Sequence, residues 1–70
     1  MRNNNNNVFQ ALTIDAIFAI VDDMDYEIPA GVAVQVRRIS ENEFEIEDAK
    51  TGVVSYLFEE DLAECVQPVA

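Results

Sequence analysis

The sequence predicts a small, mainly β domain: a barrel of about five strands with a single helical turn before the last one. Three observations point there. Short runs of alternating apolar and polar residues fill positions 32–58. Gly- and Asn-containing turns separate those runs. Half of the residues are hydrophobic, which places the chain among folded domains rather than disordered ones. An α+β arrangement, with an N-terminal helix lying on a β-meander, is the rival.

The chain opens with Met1-Arg2 and a homopolymeric run, Asn3 to Asn7. Residues 1–7 read as a disordered Asn-rich tail, and residues 8–70 as one small domain. Val8 to Val21 is apolar and carries two periodicities. Ile14, Ile17, Phe18, Val21 and Met24 follow helical spacing, with Thr13 in position to cap. Leu12, Ile14, Ala16, Phe18 and Ile20 follow strand alternation. The abundance of β-branched residues favours the strand, and the helix stays open as the alternative.

Asp22 to Gly31 reads as an acidic loop ending in the turn Ile28-Pro29-Ala30-Gly31. Val32 to Ile39 is the clearest strand, with Val32, Val34 and Val36 on one face and Ala33, Gln35 and Arg37 on the other. Arg38-Ile39 reverses that polarity, which a bulge would accommodate. Ser40 to Glu43 is a polar turn in which Asn42 is the residue best suited to a positive φ. Phe44 to Asp48 alternates, with Phe44 and Ile46 inward and Glu43, Glu45 and Glu47 outward. Lys50-Thr51-Gly52 makes a second turn. Val53 to Phe58 is apolar on both faces, as a central strand would be. Glu59 to Leu62 forms one helical turn with its acids at the positive end. Cys65 to Val69 forms a last strand, marked as an edge by Pro68.

From about Phe18 onward this order of strands, turns and helical turn resembles the SH3-like small β-barrels of bacterial and phage proteins. The resemblance rests on spacing and turn residues and covers about three quarters of the chain. It does not extend to polyproline binding, which needs several exposed aromatics including tryptophan. This chain has no tryptophan, and only Tyr26 and Tyr56 as tyrosines.

Charge narrows the function. Fourteen acidic residues against four basic ones give a net charge of −10. Such a chain is repelled by nucleic acid and anionic membranes and attracted to basic surfaces. Catalysis is not expected: there is no histidine, no glycine-rich phosphate loop and no nucleophile elbow. No cofactor is expected either. Asp22, Asp23, Asp25 and Glu27 are oxygen donors in one segment, yet they lack the spacing and mid-loop glycine of an EF-hand. The lone Cys65 excludes an intrachain disulfide and reads as a small buried apolar residue. The N-terminus lacks a signal-type pattern, and no run approaches the roughly 18 apolar residues of a membrane span. A cytoplasmic location follows as the expectation.

Glu41, Glu43, Glu45 and Glu47 recur at every second position. On a strand they would stand on one face about 7 Å apart. Such a row resembles a row of DNA phosphates. Asp22, Asp23, Asp25 and Glu27, together with Glu59, Glu60 and Asp61, would widen the patch. In size and charge the chain is similar to the small acidic DNA-mimic inhibitors carried by phages and mobile elements. That resemblance implies a non-enzymatic inhibitor occupying the nucleic-acid-binding surface of a basic DNA-binding protein in the host cytoplasm. The alternative is an SH3-like assembly module whose acidity serves only solubility. Tyr26, Tyr56 and Phe58 are candidate interface anchors, with at least two of them expected in the core. The surplus of apolar residues over 8–20 also allows a homodimer.

Overall fold

The computed structural model describes residues 8–69, so the Asn-rich run Asn3 to Asn7 lies outside the described residues. Seven strands and one helix follow in the order β1 (Val8–Thr13), β2 (Ile17–Val21), β3 (Met24–Ile28), β4 (Ala33–Arg38), β5 (Glu43–Asp48), β6 (Val54–Phe58), α1 (Glu59–Cys65) and β7 (Val66–Pro68). They form a five-stranded sheet of order β6-β5-β4-β1-β7 and a separate two-stranded sheet, β2-β3. All the pairings are antiparallel. The fold is therefore mainly β with a short helix before the last strand.

The core lies between the inner face of the five-stranded sheet and the β2–β3 hairpin. Val34, Val36, Phe44, Ile46, Ala11 and Val66 come from the large sheet, and Ile17 and Ile28 from the hairpin. Leu62 of α1 packs against the rim of this cluster. Alternation along β4 and β5 produces the arrangement directly: Val34, Val36, Phe44 and Ile46 stand at every second position and turn inward.

Val8 to Val21 is neither a helix nor one strand. It breaks at Ile14-Asp15-Ala16, where the chain leaves one sheet for the other. Thr13 explains the break. Its buried hydroxyl donates to the Pro29 carbonyl at 2.7 Å and accepts from the Val32 N–H at 3.0 Å. The residue that could have capped a helix instead ties the end of β1 to the start of β4. The strand alternation keeps its phase across the break, but the bulkier set faces out. Leu12, Ile14, Phe18 and Ile20 are exposed, while Ala11, Thr13, Ile17 and Ala19 are buried. The interior is already filled by the valines and isoleucines of β3, β4 and β5.

The acidic segment after Val21 is half strand. Asp22 and Asp23 have φ of 53° and 66°, and Val21 pairs with Met24 across them. Two consecutive left-handed residues are the geometry of the tightest hairpin turn. Ile28, expected in a turn, is fully buried. The left-handed conformation expected at Asn42 occurs at these aspartates and at Gly31 and Gly52. No bulge interrupts β4, whose register with β5 runs unbroken to Arg38↔Phe44. The polarity reversal marks the end of the strand: the Arg38 guanidinium lies 4.7 Å over the Phe44 ring and donates to the Glu41 carbonyl at 2.6 Å.

β6 is an edge strand of its sheet rather than a central one. Its outward residues Tyr56 and Phe58 are exposed. Its other side is flanked by β2, and Ser55 donates to the Phe18 carbonyl at 2.6 Å. That bond, made by a buried hydroxyl, stitches the two sheets together. The β5–β6 turn is organised by buried Asp48, whose Oδ1 accepts from the Lys50 and Thr51 N–H groups. Gly52, at φ +81°, closes the turn by donating to the Asp48 carbonyl.

Candidate functional site

β5 sits between β4 and β6, and its outward residues are Glu43, Glu45 and Glu47. Register places Arg37 opposite Glu45 and Gln35 opposite Glu47 on the β4 side. Phe58, Tyr56 and Val54 stand opposite Glu43, Glu45 and Glu47 on the β6 side. The outer face of the sheet thus carries a carboxylate row with an aromatic row beside it. Tyr26, Tyr56 and Phe58 are all exposed, so none of them is in the core.

The three carboxylates are not equivalent. Arg37 grips Glu45, with Nη2 at 2.8 Å and Nε at 3.1 Å from the same Oε1. The arginine side chain is 54% exposed and the glutamate 21%. Glu45 therefore meets solvent as a neutralised pair, and among the described residues Glu43 and Glu47 have no ion-pair partner. A pair this exposed adds little to stability, but it offsets the negative charge at the middle of the row.

Glu41 is exposed in the β4–β5 turn, outside the strand, so the row ends at Glu43. α1 extends the acidic surface past that end. The Glu59 N–H donates to the Asn42 carbonyl at 2.8 Å, which fastens the start of the helix to the β4–β5 turn. Glu59 and Glu60 line a shallow cavity with Asn42 and Phe58. Glu59, Glu60 and Asp61 occupy the first turn of α1, at the positive end of the helix dipole. The helix runs through Cys65, further than the single turn the sequence suggested.

The remaining predicted residues lie elsewhere. Asp22 and Asp23 form the hairpin tip, and Asp25 and Glu27 project from β3 opposite Ile20 and Phe18. The eleven predicted residues therefore divide between the β5–α1 side and the β2–β3 hairpin. Among the described residues no cluster of three donors gathers at metal-binding distance.

Cys65 is half-buried and its thiol pKa is pushed up, first by desolvation and then by Asp15, Asp61 and Glu64. An acidic neighbourhood of this kind suppresses the thiolate and makes the group a poor nucleophile. Sequence reasoning missed Asp48 and Ser55, the two buried polar residues that set the turn and join the sheets. The Asp-x-x-Thr-Gly spacing of residues 48–52 signals the turn. Nothing in the sequence signals the contact of Ser55 with Phe18, 37 residues away. Among the described residues no helix is long and apolar enough to cross a membrane. No family model matches the chain, and neither a curated protein nor a solved structure was found to match it.

Proposed function

We propose that this protein is a non-enzymatic acidic binding protein that covers the nucleic-acid-binding surface of a basic partner and inhibits it. The observation that carries this reading is the outer face of β5. Glu43 and Glu47 stand free on an open sheet, Glu41, Glu59 and Glu60 continue the charge beyond the Glu43 end, and Tyr56 and Phe58 lie alongside. Free carboxylates would take the places of phosphates on the partner, and the two aromatic rings would supply the desolvated anchors that a protein interface needs. An SH3-like barrel would be the scaffold; the helix before the final strand and the hairpins on either side of β5 support that resemblance. The site of action is the cytoplasm, and a phage or mobile element is the fitting source for an inhibitor of this kind.

The test is retention of basic DNA-binding proteins from a nuclease-treated lysate on the immobilised chain. The reading expects release at moderate salt, displacement by added duplex DNA, and loss of retention in the double variant E43Q/E47Q. A partner that resists both salt and DNA, or that holds the double variant equally well, would sink it.

A second reading has its own observation. Phe18 and Ile20 are 73% and 75% exposed on the hairpin. Side chains of this size left in solvent mark an interaction surface, as an assembly module would present. On that reading the contact is apolar and insensitive to salt.

A further inference from the structure

β3 ends the small sheet, and among the described residues no strand neighbours its outer side. The two-residue turn fixes which backbone groups point there. Val21 and Met24 close the hairpin, so Ala19↔Tyr26 and Ile17↔Ile28 are the pairs that exchange hydrogen bonds. Ile20↔Asp25 and Phe18↔Glu27 are the pairs between them, and their N–H and C=O groups point away from the hairpin. The bond from Ser55 to the Phe18 carbonyl fits this alternation, because it shows that carbonyl aimed outward from β2. The backbone groups of Asp25 and Glu27 accordingly point outward from β3. Among the described residues no hydrogen-bond partner meets them.

The side chains along this edge alternate in chemistry. Asp25 and Glu27 lie on one face, and Met24 and Tyr26 on the other. A cavity of about 700 Å³ opens between β3 and the β5–β6 turn, lined among others by Tyr26, Glu27, Pro29, Val32, Lys50 and Val53. We propose that the β3 edge is a strand-addition site for a partner segment that alternates basic and apolar residues. The segment pairs its backbone with Asp25 and Glu27, sets its lysines or arginines against their carboxylates, and places its apolar residues beside Met24 and Tyr26, over the cavity.

Charge decides between this occupant and a second copy of the chain. Two β3 edges paired antiparallel about Tyr26 would set Asp25 against Glu27 twice over, and directly opposed like charges destabilise a ladder. The chain has four basic residues in all and none in β3. The acids thus block self-pairing and select a basic strand. This site is distinct from the outer face of β5 and does not depend on it.

The test uses the full chain and three capped synthetic peptides of about six residues, the length of one strand. One alternates lysine and valine, one holds the same residues in two blocks, and one is the alternating peptide N-methylated on the residues that would donate. The inference expects only the first to bind, and to slow amide exchange at Asp25 and Glu27. Glu27→Pro removes an outward N–H and a charge while sparing the bonds to β2, and should weaken binding by roughly tenfold. Glu27→Gln keeps the N–H and should weaken it by only about threefold. E43Q/E47Q should leave peptide binding unchanged. Equal binding of all three peptides would mean charge attraction alone and would overturn the inference, as would protection confined to β5. Protection at Asp25 and Glu27 that rises with protein concentration without peptide would make a second copy the occupant and overturn it equally.

Discussion

Replacing Ser55 by alanine removes a hydroxyl that is buried and donates to the Phe18 carbonyl at 2.6 Å. The methyl group left behind fits the same space, so packing changes little. The carbonyl, however, points away from β3 and loses its partner. The bond is part-buried, with Ser55 inside and Phe18 largely in solvent, so its loss costs about 0.5–1.5 kcal/mol, the net worth of one hydrogen bond. A domain of this length holds roughly 3–10 kcal/mol of stability in total, so S55A should remove a measurable share of it. A loss of about 1 kcal/mol corresponds to a fall in Tm of roughly 4–8 °C for a domain of this size. The assay is thermal and urea unfolding followed by circular dichroism, with amide exchange to locate the damage. Exchange should rise first in β2 and β3, because this bond fastens the hairpin to β6. F18A is the control. It keeps the carbonyl and trims a side chain that is mostly in solvent, so it should cost no more than about 0.5 kcal/mol. If S55A proves as mild as F18A, the bond does not join the sheets. If F18A proves the costlier, the Phe18 ring is covered in solution, and the hairpin face is already an interface.

Three further outcomes follow from the geometry. R37Q leaves Glu45 unpaired on the β5 row, so affinity for a basic partner should rise by about two- to fivefold with a steeper salt dependence; titration at two or more salt concentrations checks this, and weaker binding would mean that Arg37 itself faces the partner. The double variant D22N/D23G puts the preferred residues into a turn with two left-handed positions, and should raise stability by about 1 kcal/mol in urea unfolding; an unchanged midpoint would show that the aspartates pay no conformational penalty. Cys65 should be alkylated more slowly in the native chain than in the unfolded one at mildly alkaline pH, because its pKa is raised by desolvation and by Asp15, Asp61 and Glu64. The sign for stability is that the folded state retains the thiol proton longer, so this contribution is intact below the ordinary thiol value and declines as pH rises through the raised one; equal alkylation rates in the two states would contradict it.

The strands of residues 32–58 were legible because period-two alternation is a local signal. Val34, Val36, Phe44 and Ile46 turn inward and Glu43, Glu45 and Glu47 outward, as the pattern of the chain requires. Charge was legible for the same reason, since it is a sum over residues. Pro68 correctly marked an edge, because a residue without an N–H cannot serve a ladder on that side. The N-terminal third was legible only as an apolar stretch with two competing periods. Whether Thr13 capped a helix or anchored a strand depended on Pro29 and Val32, which lie 16 and 19 residues away.

Sequence by itself determined the β character of this protein, its inward valines and isoleucines, its outward glutamates and its acidity. Tertiary structure alone decided that Asp22 and Asp23 bend a two-residue turn, that Arg37 silences Glu45, that Tyr26, Tyr56 and Phe58 all reach solvent, and that the eleven acids part into two surfaces. The physical reason is range. Alternation and net charge are properties of neighbours along the chain, whereas pairing, burial and the sharing of a face are settled by which distant strands meet.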